Sequence, residues 1–290
     1  MSTSLESPGG SVVTIGDEHA FAIIGERINP TGRSKLTQQM TTGDMTQVKA
    51  DAVAQVEAGA RVLDVNAGVP GFDEAEMLTN VVKAVMETVD VPICIDSSTP
   101  AALEAALPVY KGKALINSVT AEDESLERLL PLVKKFGAAV IGMANDEEGI
   151  SMDPKVRLAA ARKVVEAATD FGIPRDDVMI DPLAMPIGAD GNAANVMYET
   201  IRLIREELGV ELSCGASNIS FGLPDRQRID SAFVPMAMFA GMNAAITNPL
   251  HEPLRKAVLA TDVLLGRDEF AMAWIADHRA ASNAILPGEV

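Results

Sequence analysis

Eight short, almost wholly apolar runs alternate along this chain with longer stretches whose apolar residues recur at helical spacing. The runs cover residues 21–29 (FAIIGERIN), 61–68 (RVLDVNAG), 92–98 (PICIDSS), 113–119 (KALINSV), 138–146 (AAVIGMAND), 178–186 (VMIDPLAMP), 211–220 (ELSCGASNIS) and 243–249 (NAAITNP). Between them lie segments such as 75–89 (AEMLTNVVKAVMETV), 154–172 (PKVRLAAARKVVEAATDFG) and 193–209 (AANVMYETIRLIREELG), with the rhythm of amphipathic helices. Strands that are apolar on both faces and separated by helices predict parallel pairing in a fully covered sheet. Eight such units predict a (β/α)8 TIM barrel over residues 20–290, with one terminal helix near 268–282 after the eighth strand. Residues 1–19, rich in Ser, Gly and Pro, read as a flexible leader. A doubly wound open sheet fits less well, because no GxGxxG fingerprint follows any strand.

A polar residue closes each run: Asn29, Asp64 with Asn66, Asp96, Asn117, Asn145, Asp181, Asn218 and Asn248. In a parallel barrel these positions meet at the C-terminal mouth, where this fold keeps its chemistry. The ring holds amides and carboxylates and almost no Lys or His. A carboxylate accepts two N–H donors in parallel, so the set suits a planar heterocycle with several donors in a row, such as a pyrimidinone or pterin edge. Asp181 would take an amino group and the adjacent ring N–H, with Asp96 and Asn117 on the remaining edge nitrogens. The stretch 211–226 adds Gly215 and Ala216, which let a flat ligand approach the backbone, and the neutral groups of Ser217, Asn218 and Ser220. Asp and Asn at strand ends are also common helix caps, and that reading stays open for each residue taken singly. Asp123 and Asp153, just before helical patterns, are assigned to capping.

Charge narrows the partners. Forty-one acidic against 24 basic residues give a net charge of −17 over 290 residues, with no basic run. That excludes nucleic acid and anionic membrane surfaces as partners. No apolar run approaches the roughly 18 residues of a membrane span, and the N-terminus has no basic flank before an apolar core, so a cytoplasmic protein is expected. Cys94 and Cys214 read as small core residues. With His19, His251 and His278 scattered and no HExxH or CxxC, no bound metal is expected.

Six motifs, IIGERIN (23–29), DVNAG (64–68), ICIDSS (93–98), INSVTAE (116–122), IDPLAMP (180–186) and GASNISFGLPDR (215–226), occur in the order found in the methyltetrahydrofolate:corrinoid-protein methyltransferases. The chain resembles that family, and the folate module of cobalamin-dependent methionine synthase, over nearly its whole length. The resemblance implies a pterin-binding TIM barrel, a homodimer, and a role in one-carbon metabolism. The methyl group would move between methyltetrahydrofolate or tetrahydrofolate and the cobalt of a corrinoid, a cobalamin, carried by a separate corrinoid protein. It further implies that Asp96, Asn117 and Asp181 hold the pterin, with Asp64, Asn66, Gly215 and Ser217 in the same pocket. Asn218 would be the catalytic residue beside the methylated nitrogen, and Glu26, Arg27 and Arg226 would be rim or folate-tail contacts.

Departures are local. Some relatives continue the third motif as DSTN, where this chain has Asp96-Ser97-Ser98-Thr99-Pro100, and the second carries an added turn at Gly68-Val69-Pro70-Gly71. The chain has neither a corrinoid-binding DxHxxG segment nor a zinc-binding Cys/His set. Dihydropteroate synthase shares the barrel but needs cations, usually with Mg²⁺, for a pyrophosphate leaving group. A non-catalytic folate-binding subunit is the other alternative.

Overall fold

The computed structural model describes residues 1–284. It opens with an antiparallel hairpin, β1 (Ser2–Glu6) and β2 (Val12–Gly16), paired from Ser2–Gly16 to Glu6–Val12. This corrects the flexible leader. Leu5, Val13 and Ile15 are buried and share one apolar cluster with the barrel's interior residues Ala22, Ile24, Val62, Leu115 and Ala139, so the hairpin closes the floor of the barrel. The signal lay in the alternation of VVTIG and in Pro8-Gly9-Gly10, a turn where Gly10 takes φ +92. Each such apolar side chain contributes about 1.5–3 kcal/mol when fully buried.

Eight parallel strands follow: β3 (Ala22–Ile28), β4 (Val62–Asn66), β5 (Ile93–Asp96), β6 (Leu115–Thr120), β7 (Ala139–Met143), β8 (Val178–Asp181), β9 (Glu211–Leu212) and β10 (Ala244–Thr247). Their order in the sheet is β10-β3-β4-β5-β6-β7-β8-β9. The barrel closes where Gly215 bridges Ile246, whose N–H donates to the Cys214 carbonyl at 2.8 Å. The seventh apolar run thus pairs as a strand only at its start. Its remainder turns through a short 3-10 segment, Ala216–Asn218, which lifts Asn218 to the mouth.

Helices α1 (Ser34–Thr41), α2 (Thr46–Glu57), α3 (Glu74–Met86), α4 (Pro100–Ala106), α5 (Asp123–Phe136), α6 (Pro154–Asp170), α7 (Ala193–Glu207) and α8 (Arg226–Ala240) sheathe the strands. Asp153 caps α6 by accepting from the Lys155 N–H at 2.8 Å. Asp123 does not cap: it is the first residue of α5, and its carboxylate pairs with Lys163 at 2.7 Å. Among the described residues two helices rather than one follow β10, α9 (Glu252–Leu264) and α10 (Met272–Ala284). The buried face of α9 is Leu254, Val258, Thr261 and Asp262, half of it polar, which hides its period in the sequence. Asp262 earns that burial by accepting the Phe21 N–H at 3.0 Å, tying α9 to the start of β3.

Candidate active site at the barrel mouth

Register brings the site together. Asn66 is the Cα partner of Asp96, and Asp96 of Asn117, so three strand ends place these side chains in one row. The Asn117–Ser118 peptide is cis. A cavity of about 510 Å³ opens there, lined by the strand-end residues Asp64, Asp96, Asn117 and Asp181, its polar floor, and by Glu26, Arg27, Gly215 and Asn218. Asn29 lines it as well, though its Oδ1 also holds its own turn by accepting the Thr31 N–H at 2.9 Å.

The remaining residues singled out from the sequence flank this cavity. Asn66 lines an adjoining space of about 710 Å³ and donates to Asp96 Oδ2 at 3.0 Å. Ser217 and Arg226 line a third of about 570 Å³, which shares Glu26 and Arg27 with the first. Ser217 Oγ donates to Glu26 Oε2 at 2.9 Å, and Arg226 reaches back to the Ser217 carbonyl at 2.5 Å and Ser220 Oγ at 3.0 Å. Asn248 belongs to this third space and holds His251 Nε2 at 3.0 Å. Asn145 lines none of the three. Gly215 is needed for Asn218, because a Cβ there would fall 2.9 Å from the Asn218 amide nitrogen. The Asn218 side chain is exposed, free to meet a ligand.

Asp64 and Asp96 are neighbouring carboxyls that influence each other's titration. Burial, then the neighbouring Asp96 charge, pushes Asp64 well above the ordinary carboxylate range, against hydrogen bonds from Cys94 and from Asn117 Nδ2, 3.2 Å away. Asp64 therefore holds its proton more firmly than an ordinary carboxyl. Burial also lifts Asp96 to about 6, opposed by the Asn66 and Asp64 hydrogen bonds. Asp181 is likewise raised to about 6 by burial, against the N–H groups of Leu183 and Gly215 and the charge of Arg157. Burial raises Glu26 in spite of its Ser217 bond. The floor is thus a set of desolvated acceptors short of donors, which a neutral ligand edge rich in N–H groups would supply.

Sequence reading missed several neighbours. Glu74 from α3 accepts from Ser97 Oγ at 2.5 Å and Thr99 Oγ1 at 2.8 Å, ordering the loop after Asp96. Ser118 and Met143 line the cavity. Glu74 carries no sequence signal, because it acts through contacts 23 and 25 positions further along the chain. Among the described residues no group of three or more His, Cys, Asp or Glu is arranged to hold a metal ion, and no helix is long and apolar enough to cross a membrane.

Comparison with known proteins places this geometry. The family described as "Pterin binding enzyme" matches residues 25–248. A methylcorrinoid:tetrahydrofolate methyltransferase of Eubacterium limosum is 33% identical over 274 residues, covering 92% of this chain and 97% of that protein. Among solved structures, dihydropteroate synthase of Xanthomonas albilineans with 4-aminobenzoic acid superposes with a TM-score of 0.66 at 20% identity, over 93% of this chain and 99% of that one. The Yersinia pestis enzyme with a pterine-sulfa conjugate gives 0.65 at 19%, over 90% and 98%. The synthase likenesses, at 19–20% identity, are of fold alone, whereas the family match covers residues 25–248, the span that holds the residues of the mouth from Glu26 to Asn248. On these grounds the chain belongs to the pterin-binding enzymes, in the family of the methyltetrahydrofolate:corrinoid-protein methyltransferases.

Proposed function

We propose that this protein transfers a methyl group between the N5 nitrogen of a reduced folate and the cobalt of a corrinoid presented by a separate protein. The observation that carries the reading is one cavity that gathers the desolvated carboxylates Asp64, Asp96 and Asp181 with the amide of Asn117 and the exposed amide of Asn218. Asp181 accepts the pterin's amino group and adjacent ring N–H, while Asp96 and Asn117 serve the other edge nitrogens. Asp64, Asn66, Gly215 and Ser217 shape the pocket, and Glu26, Arg27 and Arg226 stand at its rim towards the folate tail.

In the folate-demethylating direction the cobalt(I) nucleophile takes the methyl carbon, the carbon–nitrogen bond breaks, and N5 keeps the electron pair and takes up a proton. In reverse, N5 attacks the methyl on cobalt(III), cobalt(I) leaves, and the proton is lost. Asn218 Nδ2 donates to N5 as its electron pair develops, a contact stronger in the transition state than in the methylated ground state, and donors of that kind contribute about 2.7–4 kcal/mol. A neutral amide does this without adding another charge to an already desolvated mouth.

The same surface disfavours a pyrophosphate-displacing synthase. Arg33 is engaged by Asp51 at 2.6 Å, and Arg226 by its own loop, so two of the three arginines near the mouth are committed to the protein. Exposed apolar side chains on α8 and α9, Phe239 at 76% and Leu264 at 84%, support a homodimer, testable by light scattering of Phe239→Asp against the parent. Composition supports a cytoplasmic setting and a site without a resident metal.

The test of function is spectroscopic: protein, methyltetrahydrofolate and cob(I)alamin, or tetrahydrofolate and methylcobalamin. Conversion between the two cobalamin spectra supports transfer. Folate binding with no turnover, even on the cognate corrinoid protein, makes the chain a binding subunit. Condensation of dihydropterin pyrophosphate with p-aminobenzoate makes it a synthase.

A further inference from the structure

Among the described residues the largest wholly buried side chain is an arginine, Arg157, and it lines none of the cavities at the mouth. Its position is costly twice over. It sits in the first turn of α6, four residues after the cap Asp153, where the helix dipole disfavours a cation, and it is cut off from water. Among the described residues no carboxylate pairs with it directly. Its guanidinium instead donates to backbone: Nε to the Ser151 carbonyl at 2.6 Å, and Nη1 to the carbonyls of Pro182 at 2.8 Å and Leu183 at 2.7 Å. Nη2 rests on Met152 Sδ at 3.6 Å.

The fork therefore staples the loop after β7 to the loop after β8, and the two carbonyls it grips on the second loop come directly after Asp181. Leu183 is held at φ 68, in the left-handed region that a branched side chain rarely adopts. In that conformation its N–H donates to Asp181 Oδ1 at 2.7 Å. Arg157, the strained Leu183 backbone and the Asp181 carboxylate form one chain of contacts.

We propose that Arg157 is a positioning residue for folate binding: by gripping the Pro182 and Leu183 carbonyls it holds the Leu183 N–H on Asp181, fixing that carboxylate in the plane that paired pterin N–H donors require. The inference rests on Asp181 as the pterin's acceptor. A planar, rigid fork is needed for the task, and a flexible ammonium cannot span both loops with directed bonds.

Charge acts through the same contacts. The groups facing Asp181 are Arg157 from α6, the N–H groups of Leu183 and Gly215, and the Cys214 thiol, which burial keeps neutral; Glu26, Arg27, Asp64 and Asp96 share its cavity. Of these, Arg157 is the charge that favours the ionised form of Asp181. Without it the carboxyl protonates at higher pH, and a protonated carboxyl cannot accept two donors.

The experiment measures tetrahydrofolate affinity calorimetrically from about pH 5 to 8.5 for Arg157→Met and Arg157→Lys, each alone and combined with Asp181→Asn, after circular dichroism has confirmed folding. Arg157→Met should weaken binding roughly tenfold or more and move the pH midpoint of binding upwards. Arg157→Lys should return the midpoint but not the affinity. In the Asp181→Asn background either substitution should add little further loss. Parental affinity and midpoint in Arg157→Met, or losses that simply add to that of Asp181→Asn, overturn the proposal. If Arg157→Met does not fold, parental affinity in Arg157→Lys overturns it equally. Should Asp181→Asn alone leave folate binding unchanged, it is the pterin assignment itself that falls.

Discussion

Asp96→Asn separates what the carboxylate floor does for the ligand from what it does to the fold. Burial holds Asp96 at about 6 against an ordinary 3.8, a shift of roughly two units, or about 3 kcal/mol at 1.36 kcal/mol per unit. Because the folded protein holds this proton more tightly than the unfolded chain, the group's contribution to stability is fully present below pH 3.8 and is lost as pH rises through about 6. The amide never ionises, and its oxygen can still accept from Asn66. The variant should therefore exceed the parent by about 1 kcal/mol at pH 4.5 and by up to about 3 kcal/mol at pH 8. With unfolding entropy near 2.1 cal/mol/K per residue, 3 kcal/mol corresponds to a rise in Tm of about 5 °C for a chain of this size. Folate affinity should fall about 10- to 100-fold, the loss of a charge-assisted hydrogen bond. Thermal melts across pH and calorimetric titration of tetrahydrofolate read the two effects. A variant less stable than the parent at pH 8 would refute the picture of a strained, ligand-awaiting carboxylate, and unchanged affinity would remove Asp96 from the pterin edge.

Three further outcomes are expected. Asn218→Ala should slow methyl transfer by roughly 10²-fold in single-turnover assays while tetrahydrofolate affinity stays within a few-fold, since the lost donor acts chiefly in the transition state; parental rates would remove Asn218 from the chemistry. Demethylation of methyltetrahydrofolate should quicken as pH falls towards 6 because N5 must gain a proton, whereas folate binding weakens in the same window as Asp96 and Asp181, both near 6, protonate; kcat and kcat/KM should therefore diverge below that pH, and a flat kcat with chemistry rate-limiting would contradict this. Ile15→Ala should destabilise the protein by about 2–5 kcal/mol without changing folate affinity, and a loss under about 0.5 kcal/mol would place the hairpin outside the core.

How far the sequence could be read follows from which interactions are periodic. The strands of the barrel announce themselves because a sheet covered on both faces demands continuous apolar runs, and the row Asn66–Asp96–Asn117 follows once those runs are set in parallel register. The hairpin was legible in principle, but VVTIG beside Pro, Gly and Ser was outweighed by composition. Helix α9 was hidden because Thr261 and Asp262 occupy buried positions where a period needs Leu or Val. Arg157 was out of reach altogether: an arginine in an amphipathic helix reads as solvated, and only the loop carbonyls of residues 25 and 26 positions further on reveal what it grips.

The site's electrostatics also fit so acidic a mouth to the proposed substrate. A phosphate or carboxylate ligand would meet like charge, and a cation would find Asp96 and Asp181 already part-protonated near pH 6. A neutral ring with several N–H donors meets neither obstacle. As each donor bond forms, it favours the ionised carboxylate, so near pH 6 binding and proton release are linked, and the free energy withheld from the unliganded fold by burying these carboxyls is recovered when the pterin arrives. The carboxylates are thus kept under-satisfied in the empty site, and their stabilisation is realised only with a ligand of matching donor pattern. Asn218 lies outside this arrangement, exposed on its 3-10 turn and bearing no charge, and in the proposed reaction that leaves it free to respond to the one atom of the pterin whose electron count changes during transfer.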